Sequence, residues 1–523
     1  MVNQKIVGRM FIVGFAGKEV TPEIKELIHD FHVGGIILFG RNIGTPAELK
    51  RLTSQLQNEA QRAGYDHPLL ICTDQENGAV RRLGEGTTIV PGSMLLGASQ
   101  NPSFAYEAGI VTGRELRALG VNWNLAPVAD INNNPDNPVI GIRSFGEHPN
   151  HTADFVEQSM KGMQAGGVRT TLKHFPGHGD THVDSHISLP VITHDMERLQ
   201  RVELVPFIRC IEAGADAVMT AHVFFPALES DKDRPATLSK AIITGLLRET
   251  LQFNGVITTD CMEMEAIKNG VGTVTGAIEA LKAGVDFVMI SHSYSLQKQA
   301  ILQAVQALKQ GDLSIEQIEK SAIRIKDMAK KTFFETGPFL KQEEVEEHQR
   351  KMKNIYRKGI TVFGGHNIVQ IEKEERVLVV CPQNEYASLV EDRRFETRIF
   401  AEVLKSHHSL TGMIELANPI MKTDVQAVIE KSKKFDRIIV MTINASSDES
   451  QQHLIKSLLA YHGKVDAIVL RNPYDASFLL GAHQVIFTYE ITETAYETVA
   501  EAFTGSTVLS GKLPVTVEGR GFL

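Results

Sequence analysis

The sequence predicts an α/β protein, a (β/α)8 TIM-type barrel followed by a smaller open-sheet α/β sandwich domain. Three observations predict it. Eight short apolar runs alternate with longer amphipathic stretches up to about residue 335. Buried parallel strands read as such runs because helices cover both faces of their sheet. Polar residues follow several different runs, and a second, shorter alternation begins near residue 360. Counting runs does not establish closure, so a doubly wound open sheet is the competing architecture.

Barrel strands are expected at FIVGF (11–15), GIILF (35–39), LLICT (69–73) and VNWNL (121–125). The other four are VRTTL (168–172), AVMTA (217–221), GVITT (255–259) and VDFVM (285–289). Helical patterns lie between them at 46–63, 104–119, 151–165, 195–213, 239–252 and 274–283. Asp74 follows the third run, Lys173 and His174 the fifth, His222 the sixth and Asp260 the seventh. A barrel places its chemistry at the C-terminal ends of its strands, so these residues read as one site. Any one strand-end Asp, taken alone, reads more simply as a helix cap.

KQEEVEEHQRKMKNIYRKG predicts a helical connector over 341–359 with a solvated charged face, between a barrel at 1–340 and an α/β domain at 360–523. Strands of that domain are expected at RVLVV (376–380), RIIVM (437–441), AIVL (467–470) and QVIFTY (484–489).

With 42% hydrophobic and 22% charged residues, the 523-residue chain has the composition of a soluble globular protein. Its 54 basic and 63 acidic residues leave a charge of −9. That balance offers nothing to nucleic acid phosphates or an anionic membrane. No apolar stretch approaches the roughly 18 residues of a membrane helix. The N-terminal MVNQKIVGRMFIVGFAGKEV lacks a signal-peptide cleavage site, and a cytoplasmic location is expected. Cys72, Cys210, Cys261 and Cys381 are scattered and read as small buried thiols, not as disulfides or a structural zinc site. Gly34-Gly35 and Gly166-Gly167 precede strands, so they make no dinucleotide fingerprint. No cofactor is expected.

The richest stretch is KHFPGHGDTHVDSH at 173–186, with His174, His178, His182 and His186 at steps of four. On a helix they would share a face and invite a metal. Pro176, Gly177 and Gly179 argue against a helix, and no metal is expected. Asp184 and His186 lie two apart, on the same side of an extended segment. The carboxylate can then fix one imidazole tautomer and leave the other nitrogen to exchange protons. An ordinary loop histidine is the competing reading.

The fixed positions K-H-F-P-G-H-G-x-x-x-x-D-S-H closely resemble the signature of bacterial β-N-acetylglucosaminidases of glycoside hydrolase family 3. TDQENGAVRRL (73–83), IGIRSFG (140–146), AHVFFP (221–226), PATLS (235–239) and GVITTDCMEMEAI (255–267) resemble further family segments in the same order. LRNPYD (470–475) and SGKLPVT (510–516) are similar to pieces of the C-terminal domain many members carry. The resemblance implies Asp260 as nucleophile and His186, oriented by Asp184, as acid/base. It implies Asp74, Arg82, Arg143, Lys173 and His174 as ligands of the sugar in the −1 subsite. His222 is read as either a sugar ligand or a packed histidine. The implied activity is a retaining exo-β-N-acetylglucosaminidase acting on muropeptides or chitooligosaccharides. Because the acid/base lies on the barrel loop, the second domain is expected to be dispensable for catalysis.

One departure is Asn77-Gly78 where the family pattern has Gly-Gly; Asn tolerates the left-handed backbone better than most residues. Trp123, the only tryptophan, is expected in the core. Three rivals stand beside the glycosidase: a β-N-acetylglucosaminide phosphorylase, a metal-dependent hydrolase using the histidine loop, and a sugar-binding protein without turnover.

Overall fold

Eight parallel strands occupy the eight apolar runs of the computed structural model, which describes residues 2–517 other than 186, 336, 366, 385–390 and 392–394. They are β1 (Phe11–Val13), β2 (Gly35–Leu38), β3 (Leu70–Thr73), β4 (Trp123–Asn124), β5 (Thr171–Phe175), β6 (Ala217–Thr220), β7 (Val256–Cys261) and β8 (Phe287–Ile290). Their order is β4-β3-β2-β1-β8-β7-β6-β5. The two ends meet through parallel bridges between Trp123 and Arg169 and between Val128 and Lys173. The Ala129 N–H donates to the Lys173 carbonyl at 2.6 Å. The sheet is therefore a nearly closed barrel and not an open one. Trp123 is fully buried, donates to Thr171 Oγ1 at 2.7 Å and packs 5.7 Å from the Phe287 ring. Its role is packing inside the barrel.

Two expectations change. The helix read over 195–213 is two helices, Met196–Arg201 and Val205–Glu212. Pro206 explains the break: it brings no N–H and clashes with the preceding turn, so it suits the first turn of a new helix. The helix Ala241–Thr250 is wound in π fashion.

The second domain has a six-stranded sheet: β9 (Thr361–Val362), β10 (Val377–Pro382), β11 (Thr411–Leu416), β12 (Arg437–Thr442), β13 (Val465–Val469) and β14 (Gln484–Phe487). The order is β9-β14-β13-β12-β10-β11, antiparallel only between β9 and β14. The edge strand β11 escaped the sequence reading because its central residues are partly exposed and form no continuous apolar run.

The helix Gln342–Gly359 has a buried face beside its charged one. It buries His348, Met352, Ile355, Tyr356 and Gly359 against helices Ser93–Ala98 and Glu493–Phe503. Lys353 and Arg357 on its outer side pair with Glu501. Both C-terminal motifs bind the barrel. Asn132 Nδ2 donates to Tyr474 Oη at 3.1 Å, and the Thr516 N–H donates to Glu147 Oε2 at 2.7 Å. No helix among the described residues is long and apolar enough to cross a membrane.

Glu490 joins the domains at depth. Its Oε2 accepts the Gly92 N–H of the barrel at 2.7 Å, and its Oε1 accepts from Thr492 Oγ1 at 3.0 Å and from the Tyr356 hydroxyl. Burial pushes the carboxyl from 4.5 up to about 6, against the opposing hydrogen bonds. A folded pKa above the unfolded one contributes stability below about pH 4.5 that is lost as pH rises through about 6. Glu490→Gln should remove this dependence. The wild-type-minus-variant unfolding free energy should fall by about 2 kcal/mol between about pH 4 and pH 7, read by urea denaturation across that range.

Candidate active site

A cavity of about 450 Å³ opens at the C-terminal end of the barrel. Its floor includes Ile37, Leu125, Met219 and Met289, and its walls carry Asp74, Arg82, Arg143, Lys173, His174 and Asp260. Six residues named from the sequence are thus brought together.

Their positions follow from where the strands end. Lys173 and His174 lie within β5, Asp260 within β7, and Asp74 directly after β3. Arg82 follows the hairpin at 75–81, and Arg143 ends a 3-10 turn, Gly141–Arg143. In the hairpin Asn77 takes φ 73°, the left-handed conformation its side chain tolerates. Its Nδ2 donates to Thr112 Oγ1 at 3.0 Å.

The charges are organised by a residue the sequence reading left without a role. Glu76 is buried and accepts Arg143 Nε and Nη2, each at 2.8 Å. Lys173 Nζ lies 2.6 Å from Glu76 Oε1 and donates to Asp74 Oδ1 at 2.8 Å. Burial alone would raise the Glu76 carboxyl, but Arg143 and Lys173 outweigh it and hold it well below the usual range. Burial likewise lowers Arg143 and Lys173, and their carboxylate partners raise both above ordinary values. All three stay charged at neutral pH.

Asp130 was also missed. It accepts His174 Nδ1–H at 2.7 Å and the His178 backbone N–H at 2.7 Å. Burial opposes its ionisation, yet His174 beside it holds it below the usual carboxylate range. The bond fixes the His174 tautomer with Nδ1 protonated and leaves Nε2 to the cavity. A signal existed: Asp130 follows the apolar run at 125–129, which bridges to β5.

His178 closes the loop that carries Asp184. Its Nδ1 pairs with Thr181 Oγ1 and its Nε2 with Ser185 Oγ, each at 3.0 Å. Burial, aided by His174, pushes it down to about 4, so it is a neutral clamp above that pH. Asp184 is buried and its carbonyl accepts the Ile187 N–H at 2.9 Å. His186 lies outside the described residues. His222 is buried and absent from the cavity wall; its Nδ1 pairs with Thr237 Oγ1 at 2.8 Å and its Nε2 with the Cys261 carbonyl at 3.0 Å. It is placed to support β7 from behind.

Among the wall residues that the sequence reading did not place in the site are Cys261 and Glu391. Cys261 is part-buried and lines the cavity, unlike the buried Cys72, Cys210 and Cys381. Glu391 of the second domain also lines it, paired with Arg471 of LRNPYD. The second domain therefore has a place in the cavity wall that the expectation of a dispensable domain did not foresee.

Glu76→Gln should leave two buried cations undercompensated, a loss of about 3–5 kcal/mol by the behaviour of broken buried pairs. Guanidinium denaturation of the variant checks this.

The model of the glycosyl hydrolase family 3 N-terminal domain matches residues 1–328. β-Hexosaminidase A of Pseudoalteromonas piscicida is 39% identical over 326 residues, covering 58% of this chain and 54% of that protein. The chain thus spans about half of that relative's length. A β-hexosaminidase of Xylella fastidiosa (strain M23) is 38% identical over 290 residues, 54% of this chain and 83% of that one. Among solved structures, a family 3 β-N-acetylglucosaminidase from Paenibacillus sp. str. FPU-7 superposes with a TM-score of 0.93 at 38% identity, covering 98% of each chain. That superposition takes in both the barrel and the second domain, and the chain belongs to glycosyl hydrolase family 3.

Proposed function

We propose that the chain is a retaining exo-β-N-acetylglucosaminidase that removes terminal GlcNAc from muropeptides or chitooligosaccharides. The observation that carries this is the convergence of Asp260 with Asp74, Arg82, Arg143, Lys173 and His174 on one floored cavity. Charged donors and acceptors held rigidly by Glu76 and Asp130 suit hydroxyl groups in fixed positions. A floor of apolar core residues stops a chain from threading through, which favours cleavage at a terminus. The relatives' names, β-hexosaminidase and β-N-acetylglucosaminidase, support the sugar.

In this reading the Asp260 carboxylate attacks the anomeric carbon as His186 gives a proton to the leaving oxygen. His186, oriented by Asp184, then takes a proton from water, which attacks the glycosyl–Asp260 bond and restores the original anomeric configuration. Water is favoured over phosphate as acceptor. The cavity wall carries four cations (Arg41, Arg82, Arg143, Lys173) against five carboxylates (Asp74, Asp260, Glu263, Glu265, Glu391), a poor balance for an incoming anion.

Release of nitrophenol from an aryl β-N-acetylglucosaminide, with chelator present, tests the reading. Turnover is expected; its absence from folded protein would overturn the assignment. Asp260→Asn should lower kcat on the order of 10⁴-fold or more on every substrate. His186→Ala should cost about 10²–10⁴-fold on disaccharides and far less on activated aryl glycosides, which need little protonation. Equal losses on both would refute the acid/base role.

A further inference from the structure

The cavity has a second set of donor atoms beside Asp260. The Cys261 thiol, a Glu263 carboxylate oxygen and a His292 imidazole nitrogen all lie within 4.8 Å of one another, and all three residues line the cavity. They come from the ends of two neighbouring strands: Cys261 closes β7, and His292 stands two residues beyond β8. The glycosidase reading uses neither the thiol nor this imidazole.

Glu263 is already built as a fixed anion. Its Oε2 accepts the His292 backbone N–H at 2.6 Å and its Oε1 the Ser293 N–H at 3.0 Å. Burial opposes ionisation, but these bonds and His292 hold the carboxyl down to about 2. His292 Nδ1 lies 3.4 Å from Glu263 Oε2, and its ring rests 5.4 Å from that of Phe39. Burial pushes the Cys261 thiol up to about 11, so this sulfur is a protonated thiol until something replaces the proton. Asp260 adds a negative charge beside it and the Arg41 guanidinium a positive one.

Thiolate, imidazole and carboxylate are the donors zinc takes, and three protein ligands leave a fourth position open. We propose that Cys261, Glu263 and His292 form a site for a zinc-class divalent cation whose occupation blocks the sugar cavity. On binding, the Cys261 S–H bond breaks, an S–metal bond forms and the proton leaves to solvent; no electrons are transferred. With the thiol deprotonated, thiolate, Glu263 and Asp260 stand near the cation, opposed by Arg41 and by Arg82 beside it. Blockage follows from position, since the site shares the cavity wall with Asp260. The inhibition part rests on the glycosidase reading; the binding part does not.

The test is optical and kinetic, on the full chain after chelator treatment. Cobalt(II) alone should give a near-ultraviolet thiolate-to-metal charge-transfer band that Cys261→Ser abolishes. His292→Ala, at an exposed position, should weaken cobalt binding about tenfold or more, as loss of a ligand requires. Zinc should displace the cobalt and inhibit aryl glycoside turnover, with an inhibition constant about tenfold or more higher in His292→Ala. No band, a band that survives in Cys261→Ser, or zinc inhibition unchanged in His292→Ala would each overturn the proposal. Should Cys261→Ser fail to fold, His292→Ala decides. If the aryl glycoside is not turned over at all, the sugar reading fails while the cobalt titration still decides the metal site.

Discussion

The site depends on one buried carboxylate, Glu76, held between Arg143 and Lys173. Three chain segments meet there: the hairpin after β3, the turn ending at Arg143 and the strand β5. Without Glu76 the two cations would repel each other in a water-poor space. Without the cations Glu76 would be an unpaired buried charge. Buried ion networks of this kind are weak evidence for stability, because desolvation offsets much of the attraction. Their value lies in geometry. Lys173 is also bound to Asp74, so hydrogen-bonding groups facing the cavity hold position before any ligand arrives.

How far the sequence reveals this network follows from the same physics. The eight barrel strands were legible because double-sided burial makes continuous apolar runs. Asp74, Lys173, His174 and Asp260 were legible because barrel chemistry sits at strand ends. Glu76 was not: a carboxylate whose partners are 67 and 97 residues away in sequence reads like any surface Glu. Asp130 was missed because the run it follows, 125–129, forms no strand of its own and meets β5 only through the bridge between Val128 and Lys173. The edge strand β11 and the break before Pro206 were lost to partial exposure and to local proline sterics. His186, read from its spacing to Asp184 and from the motif, lies outside the described residues.

The second domain is joined to the site by the hairpin that carries Glu76. Gly78 in that hairpin backs onto Gly92 so closely that a Cβ would stand 2.7 Å from the Gly92 Cα and 3.2 Å from Glu490 Oε2. Glu490 also accepts the Gly92 N–H. The far domain thus presses on the backbone two residues from the carboxylate that organises the cavity. LRNPYD meets the barrel from another side through Tyr474 on Asn132, and within the second domain its Arg471 pairs with Glu391 of the cavity wall. A domain that lines and braces the cavity can tune a site without supplying the reacting groups.

The regular spacing of histidines in 173–186 would serve one shared ligand only on a helix, and the described histidines have separate partners. His174 is committed through Nδ1 to Asp130. His178 spends both ring nitrogens inside its own loop. His182 reaches Asn134, and Asp180 between them pairs with His194 at 2.6 Å. A metal needs several lone pairs converging on one point, and hydrogen bonds have already claimed those of His178 in different directions. The neutrality of His178 matters for the loop as a whole. A clamp that stays uncharged down to about pH 4 holds the Asp184 segment across the range in which a catalytic imidazole would titrate. Under the proposed function, an acid/base at His186 would then change charge without this clamp changing with it.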